Sequence, residues 1–392
     1  MKHITSEDEL ISRIKSALGP FRAGVKRHAQ SALKYDYLVP SGYYEEQWDW
    51  DGFFIGMALA NDISSEAIYL RNWVLNYLSI IDKNGYIPGC VKPSGPETGH
   101  RAFLMKPFLA QGAYFASRHL QDFSWIKPHY SKLRKAVLYR EKNVWDKEFD
   151  LGMWNNGVES GADNNVAILD FPKKSVIASD VNTLIYREYL AIGKIAGSLN
   201  KQKDSLFFSR RAKQIKSNIR KHLWNKEDNS YYNLDRRTKK HIKRISYNTF
   251  LPLWGEIASK EQAKAYINNY ILNPDKLWSK YGIRTLAKDD PKYSNKNMIK
   301  PHSNWQGPVW PIANYLVMLG LMNYGFNKEA VRVAQRVSTV IADDIKRTGG
   351  MHENYNAETG KGIAAPNFIS WNLLYYNALN EVAENRNPFK IK

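Results

Sequence analysis

With one cysteine, Cys90, in 392 residues, the chain cannot close an internal disulfide or assemble a thiolate metal site. The opening residues, Met1 to Leu10, lack the apolar stretch of a signal peptide, and no uninterrupted apolar run of about 18 residues, the length a bilayer requires, occurs. A soluble protein of a reducing, cytoplasmic compartment is expected, with no membrane as partner. Alternating strand-like stretches are missing, as are low-complexity tracts and any fixed sequence period, and the missing period argues against an open solenoid. Acidic residues are also scarce, 38 against 57 Lys and Arg, leaving a net charge of +19. Nucleic acid is still not expected as a partner. The runs Lys132-Leu133-Arg134-Lys135, Arg210-Arg211-Ala212-Lys213 and Arg236-Arg237-Thr238-Lys239-Lys240 sit in no nucleic-acid motif and read as solvated faces.

Helical periodicity fills the rest. Twelve segments follow from it: 6–36, 52–62, 65–82, 102–119, 124–146, 178–199, 202–224, 247–257, 260–272, 309–325, 327–346 and 367–385. Their connections alternate between long and short. In antiparallel helices that alternation puts every long loop at one end. Segments after long loops, such as the one from Asp51 to Ala60 and the one from Pro308 to Leu319, are apolar nearly all round; those after short loops, such as Gln202 to Leu223, carry one apolar stripe. Six inner and six outer helices closed on themselves predict an all-α fold, an (α/α)6 barrel formed by residues 1–392 as a single domain, with the site in the long-loop mouth.

The third long loop holds the chemistry: Trp154-Asn155-Asn156-Gly157-Val158-Glu159-Ser160-Gly161-Ala162-Asp163-Asn164-Asn165 carries two carboxylates four residues apart among turn formers and amides. Asp163 is a candidate acid and Glu159 its rival. The sixth loop supplies Glu353, in His352-Glu353-Asn354-Tyr355, from the opposite side of the mouth. Two carboxyl groups flanking a cleft suit glycosidic cleavage, in which one donates a proton to the leaving oxygen and the other activates water or attacks the anomeric carbon. Around them stand Tyr44, Gln47, Trp48 and Asp51 of the first loop and Trp305, Gln306 and Trp310 of the fifth, ring faces and polar groups suited to sugars.

Together, Trp48-Asp49-Trp50-Asp51, Glu159-Ser160-Gly161-Ala162-Asp163-Asn164, Trp305-Gln306-Gly307-Pro308-Val309-Trp310 and Glu353-Asn354-Tyr355 resemble glycoside hydrolase family 63, and are similar to the family 37 trehalases. The resemblance runs from about residue 40 to 380. It implies an (α/α)6 barrel and inverting hydrolysis of an α-glycoside, with Asp163 as general acid, Glu353 as general base and no cofactor. The chain looks most like the compact bacterial subgroup of mannosylglycerate and glucosylglycerate hydrolases, where Tyr44, Trp48, Asp51, Trp305 and Trp310 would line the sugar subsite. Gln47, Glu159, Gly161, Asn164 and Gln306 are expected beside them. Three departures stand at Val158, at Asn165-Val166 and at Lys106. Lys106 with Arg101 either meets an anionic aglycone such as glycerate or is an ordinary solvent-facing cation.

The expected function is hydrolysis of a small α-glucoside or α-mannoside, with a small carbohydrate as partner. Two alternatives stay open: a sugar isomerase or epimerase using His100, His302 or His352, and a non-catalytic carbohydrate- or nucleic-acid-binding protein. No metal-ligand spacing is present, and a structural calcium and a homo-oligomer are left open.

Overall fold

Helices that are apolar on every side must lie at the centre of a molecule. In the computed structural model, which describes residues 6–98, 103–297 and 303–392, they do. Twelve α-helices occur among these residues: α1 Ser6–Leu18, α2 Asp49–Asp62, α3 Ala67–Ser79, α4 Leu109–Leu120, α5 Tyr130–Asn143, α6 Ser179–Ser198, α7 Gln202–His222, α8 Tyr247–Trp254, α9 Lys260–Tyr266, α10 Pro311–Asn323, α11 Asn327–Thr348 and α12 Tyr375–Ala383. The even-numbered helices touch in succession, α2 on α4, α4 on α6, α6 on α8, α8 on α10, α10 on α12 and α12 back on α2. Outside this closed cycle, α3 packs on α2 and α4, α7 on α6, α11 on α10 and α12, and α1 on α11 and α12. Every residue of α8 and the first twelve residues of α10 are buried, whereas α7 and α11 bury one stripe. No helix among the described residues is long and apolar enough to cross a membrane.

Several expected boundaries move, among them the start of α4, at Leu109 where 102 is expected, and that of α5, at Tyr130 where 124 is expected. The first helix stops at Leu18 instead of continuing to 36, giving way to a 3-10 turn at Gly19–Arg22, because Pro20 offers no amide hydrogen to the ladder. The final segment begins as a 3-10 turn, Ser370–Leu374, before α12. Strands, though absent as long alternating runs, occur as short segments of two to five residues inside the long connections, joined in two- and three-stranded sheets. They staple loops to one another. Gln47–Trp48 pairs with Cys90–Lys92, Val176–Ile177 with Asn233–Asp235, and Val309 bridges both Arg284 and Tyr355.

Each long connection enters the N-terminal end of an inner helix, so six loops share one mouth. Deeper in the ring the space is filled. Phe389, 1% exposed, sets its ring 5.8–6.3 Å from those of Phe53, Phe54, Phe115, Trp254 and Tyr315, side chains of α2, α4, α8 and α10. Arg187 Nη2 donates to its carbonyl at 2.6 Å. The ring is therefore a packed core. Much of the basic surface is paired within the fold: Arg134 with Asp204, Arg211 with Glu141 and Asp150, and Arg236 with Asp146.

Candidate active site

Tryptophans at the mouth ends of three inner helices build its floor. Trp50 lies in the first turn of α2, Trp310 immediately precedes α10, and Trp371 lies in the turn before α12. Trp305 stacks on Trp310 with centroids 3.9 Å apart and 19° between planes; Trp50 stands 5.9 Å from Trp305 and 5.3 Å from Trp371, and Tyr247 of α8 stands 5.0 Å from Trp305. Such stacking fixes the rings before any ligand arrives. Trp310 Nε1 donates to the Asn304 carbonyl at 2.7 Å. Trp305 Nε1 and Gln306 Oε1 are buried with no hydrogen-bond partner in the protein, a donor and an acceptor suited to a polar ligand.

Three carboxyl groups gather above this floor. Glu353, on the strand His352–Tyr355, is half-buried, and its pKa is raised well above the usual carboxylate range by burial, then by the negative charges of Asp163 and Asp51. Asp163, half-buried in the third loop, faces it electrostatically. Asp51 is 6% exposed; burial pushes its carboxyl up to about 7, opposed by a 2.7 Å hydrogen bond from Ser370 Oγ. Ser370 holds that position at φ +22°, a conformation that costs a non-glycine residue roughly 1–3 kcal/mol.

The third loop is held from beneath. Glu159, fully buried, accepts from Arg140 Nη2 at 2.6 Å and from Asn155 Nδ2 at 2.6 Å, while Arg140 Nη1 donates to the Met153 carbonyl at 2.9 Å. Gly161 adopts φ +79°, and a Cβ there would come within 2.8 Å of Trp50 and 2.9 Å of Lys106. Asn164 clamps the fifth loop, accepting from the Trp305 amide at 2.6 Å and donating to Asn304 at 3.1 Å, and its carbonyl accepts from Gln306 Nε2 at 2.8 Å. These residues position the loop that carries Asp163.

Several expected residues have other surroundings. Gln47 is fully buried, bonded to the Trp73 carbonyl and to Asn76, so it supports the first loop from the core side. Lys106 corrects the solvent-facing alternative: it is 3% exposed, its ammonium lies 3.1 Å from Asp49 Oδ1, and it sits over the Trp50 and Phe103 rings. Tyr44 and Trp48 are half-buried, Tyr44 against Tyr43 and Trp48 stacked on Phe103 at 6.2 Å. Val158 is 44% exposed, whereas Asn165 is buried and bonded to Asn248. His352 is tied to Asp344, and His100, Arg101 and His302 lie outside the described residues. Among the described residues, no three His, Cys, Asp or Glu side chains form a group that could hold a metal.

Sequence reasoning named Trp50 only inside its motif, and passed over Trp371, Arg140 and Ser370. The recurrence of Trp at inner-helix starts was the available signal for Trp50 and Trp371. A buried Lys106–Asp49 pair serves the floor whatever the ligand's charge. Replacing Lys106 with Met would leave Asp49 buried without its partner, and the expected result is an equal fractional loss of activity on charged and neutral glycosides. Paired rate measurements on two such substrates check this.

An aromatic floor under facing carboxyl groups, on a closed cycle of helices, is an arrangement suited to a glycoside hydrolase. The comparisons agree: residues 43–371 match the mannosylglycerate hydrolase MGH1-like glycoside hydrolase domain, and the chain belongs to that family. It is 21% identical over 429 residues to a periplasmic trehalase of Citrobacter koseri, covering 92% of this chain and 70% of that protein. A mannosylglycerate hydrolase of Rubrobacter radiotolerans is 25% identical over 190 residues, which cover 48% of this chain and only 40% of that protein. In fold it is similar to the family 63 mannosylglycerate hydrolase of Thermus thermophilus solved with glucose, at a TM-score of 0.72 and 18% identity, covering 94% of this chain and 99% of that one.

Proposed function

We propose that the protein hydrolyses a small α-glucoside or α-mannoside with inversion at the anomeric carbon, on a single-domain (α/α)6 barrel of six inner and six outer helices. The observation that carries this is the convergence of three carboxyl groups, Glu353, Asp163 and Asp51, beside the tryptophan floor, close enough that the other two disfavour ionisation of Glu353. In the proposed reaction Asp163 gives its proton to the glycosidic oxygen as the bond to the anomeric carbon breaks. Glu353 takes a proton from a water that attacks that carbon from the opposite face. An inverting pair needs about 6.5–9.5 Å between carboxyl groups to admit the water. Trp48 and Tyr44 offer ring faces to the sugar, the buried Trp305 offers its unpartnered Nε1, and Asp51 accepts from its hydroxyls. No cofactor enters these steps.

Relatives named for mannosylglycerate and for trehalose support a small substrate over a polymer. Glucosyl- or mannosylglycerate, or a short α-gluco-oligosaccharide, fits this class. With Lys106 engaged by Asp49, a glycerate carboxylate would have to find another cation. A cytoplasmic setting suits the lone buried thiol, Cys90. The test is proton NMR at early times on an α-glycoside panel. The β-anomer is expected first; initial release of the α-anomer, or no hydrolysis of any α-glycoside, overturns the proposal.

A further inference from the structure

A catalytic carboxylate is only as well placed as the backbone that carries it, and the backbone before Glu353 is fixed from an unexpected quarter. As α11 ends, Gly349 takes φ +79° and the chain turns into the strand His352–Tyr355. Asp344, in the last turns of α11 and 2% exposed, reaches across that turn. One of its oxygens, Oδ2, accepts from the His352 amide at 3.0 Å and pairs with His352 Nδ1 at 2.7 Å. The other, Oδ1, pairs with Arg347.

Every polar group of His352 with a bond in hand thus serves to hold the residue still. The carbonyl accepts from Asn372 Nδ2 at 3.0 Å. The ring lies on Gly362 of the facing strand, where a Cβ would come within 2.2 Å of it. At the far end of the strand, Tyr355 exchanges backbone hydrogen bonds with Val309 at 2.8 and 2.9 Å. Glu353 is therefore carried between two clamped residues. Because a carboxylate acceptor on Nδ1 favours the tautomer with its proton there, the Asp344 bond also fixes the orientation of the imidazole.

We infer that Asp344 and His352 form a positioning pair that holds Glu353 at the distance an attacking water requires, without touching substrate themselves. This rests on the reading of Glu353 as the base. Misplacing a reacting group by about 1 Å costs roughly 100-fold in rate. Asp344→Asn is expected to lower kcat by roughly that factor with KM little changed. A defect of general folding would instead lower the active fraction and the Tm.

A double-mutant cycle with azide separates positioning from structure. In Glu353→Ala there is no carboxylate to position, and azide can take the place of the water. The expected result is that Asp344→Asn, costly in the otherwise native enzyme, changes the azide-supported rate of Glu353→Ala by a factor near one. His352→Phe, which keeps the ring's bulk and removes Nδ1, runs the same cycle should Asp344→Asn fail to fold. An undiminished cost in the azide-supported background overturns the inference, as does a native kcat in both Asp344→Asn and His352→Phe. If Glu353→Ala without azide is as active as wild type, or if azide restores none of its rate, the base reading itself has failed, whatever the Asp344 and His352 variants show.

Discussion

Asp163→Asn and Glu353→Gln are each expected to lower kcat by roughly 10²- to 10⁴-fold, the usual worth of a positioned acid or base. The two losses should differ in kind. An acid matters in proportion to how poor the leaving group is, so an aryl glycoside with an acidic phenol should restore much of the Asp163→Asn rate and little of the Glu353→Gln rate. A base matters because water is a poor nucleophile, so azide should restore Glu353→Ala and leave Asp163→Asn unchanged. Crossed rescue would exchange the two roles, and neither loss would remove the carboxylate mechanism altogether.

The raised pKa of Glu353 gives these assignments a pH signature. A base must be ionised to act, so the acid limb of kcat/KM is expected above the ordinary carboxylate range, because burial, the largest cause, favours its protonated form. Asp163 must still hold its proton at that limb, so it bears no charge there for Asp163→Asn to remove. The acid limb, read on the aryl glycoside, should therefore move little in Asp163→Asn. If instead the basic limb moves down, Glu353 is the proton donor. The three carboxyl groups titrate as a set, so the limbs report the set and the variants separate its members.

The sequence made inner and outer helices legible because burial on all sides and burial on one stripe leave different residue patterns. It made the loop alternation legible because short connections leave little room for error. Helix α1 was overrun since the apolar spacing continues past Gly19-Pro20 into residues that pair as short strands. Asp163, Glu353, Asp51 and the tryptophans stood out as residue types that are costly to leave in an apolar mouth. What single-sequence reasoning could not assign was partnership. Lys106 looks the same in sequence whether it meets solvent, glycerate or Asp49, and Gln47 differs from Gln306 only in which side of its loop it faces. Arg140 lies on a helix with several other charged residues, and nothing nearby in sequence marks it as the partner of Glu159.

Arg140→Met is expected to destabilise the protein by about 3–5 kcal/mol, because it removes one member of a buried pair and leaves the other. Arg140 and Glu159 have side chains 6% and 0% exposed, so neither charge can recover hydration by a small movement. Glu159 would keep only Asn155, and its carboxylate would take up a proton or pull the loop open. Either outcome reaches the chemistry, since Glu159 and Asp163 share a short turn around Gly161, itself wedged against Trp50. The loss in kcat should thus exceed what the folded fraction explains. Adding Glu159→Gln removes the orphaned charge, so the double variant should regain much of the stability while kcat stays low, an opposition visible by urea denaturation alongside rate measurements. Equal recovery of both would mean that Arg140 serves the fold alone; equal loss in single and double variants would mean that the guanidinium contacts to the carbonyls of Met153 and Met105, and its place over Trp154, matter more than the ion pair.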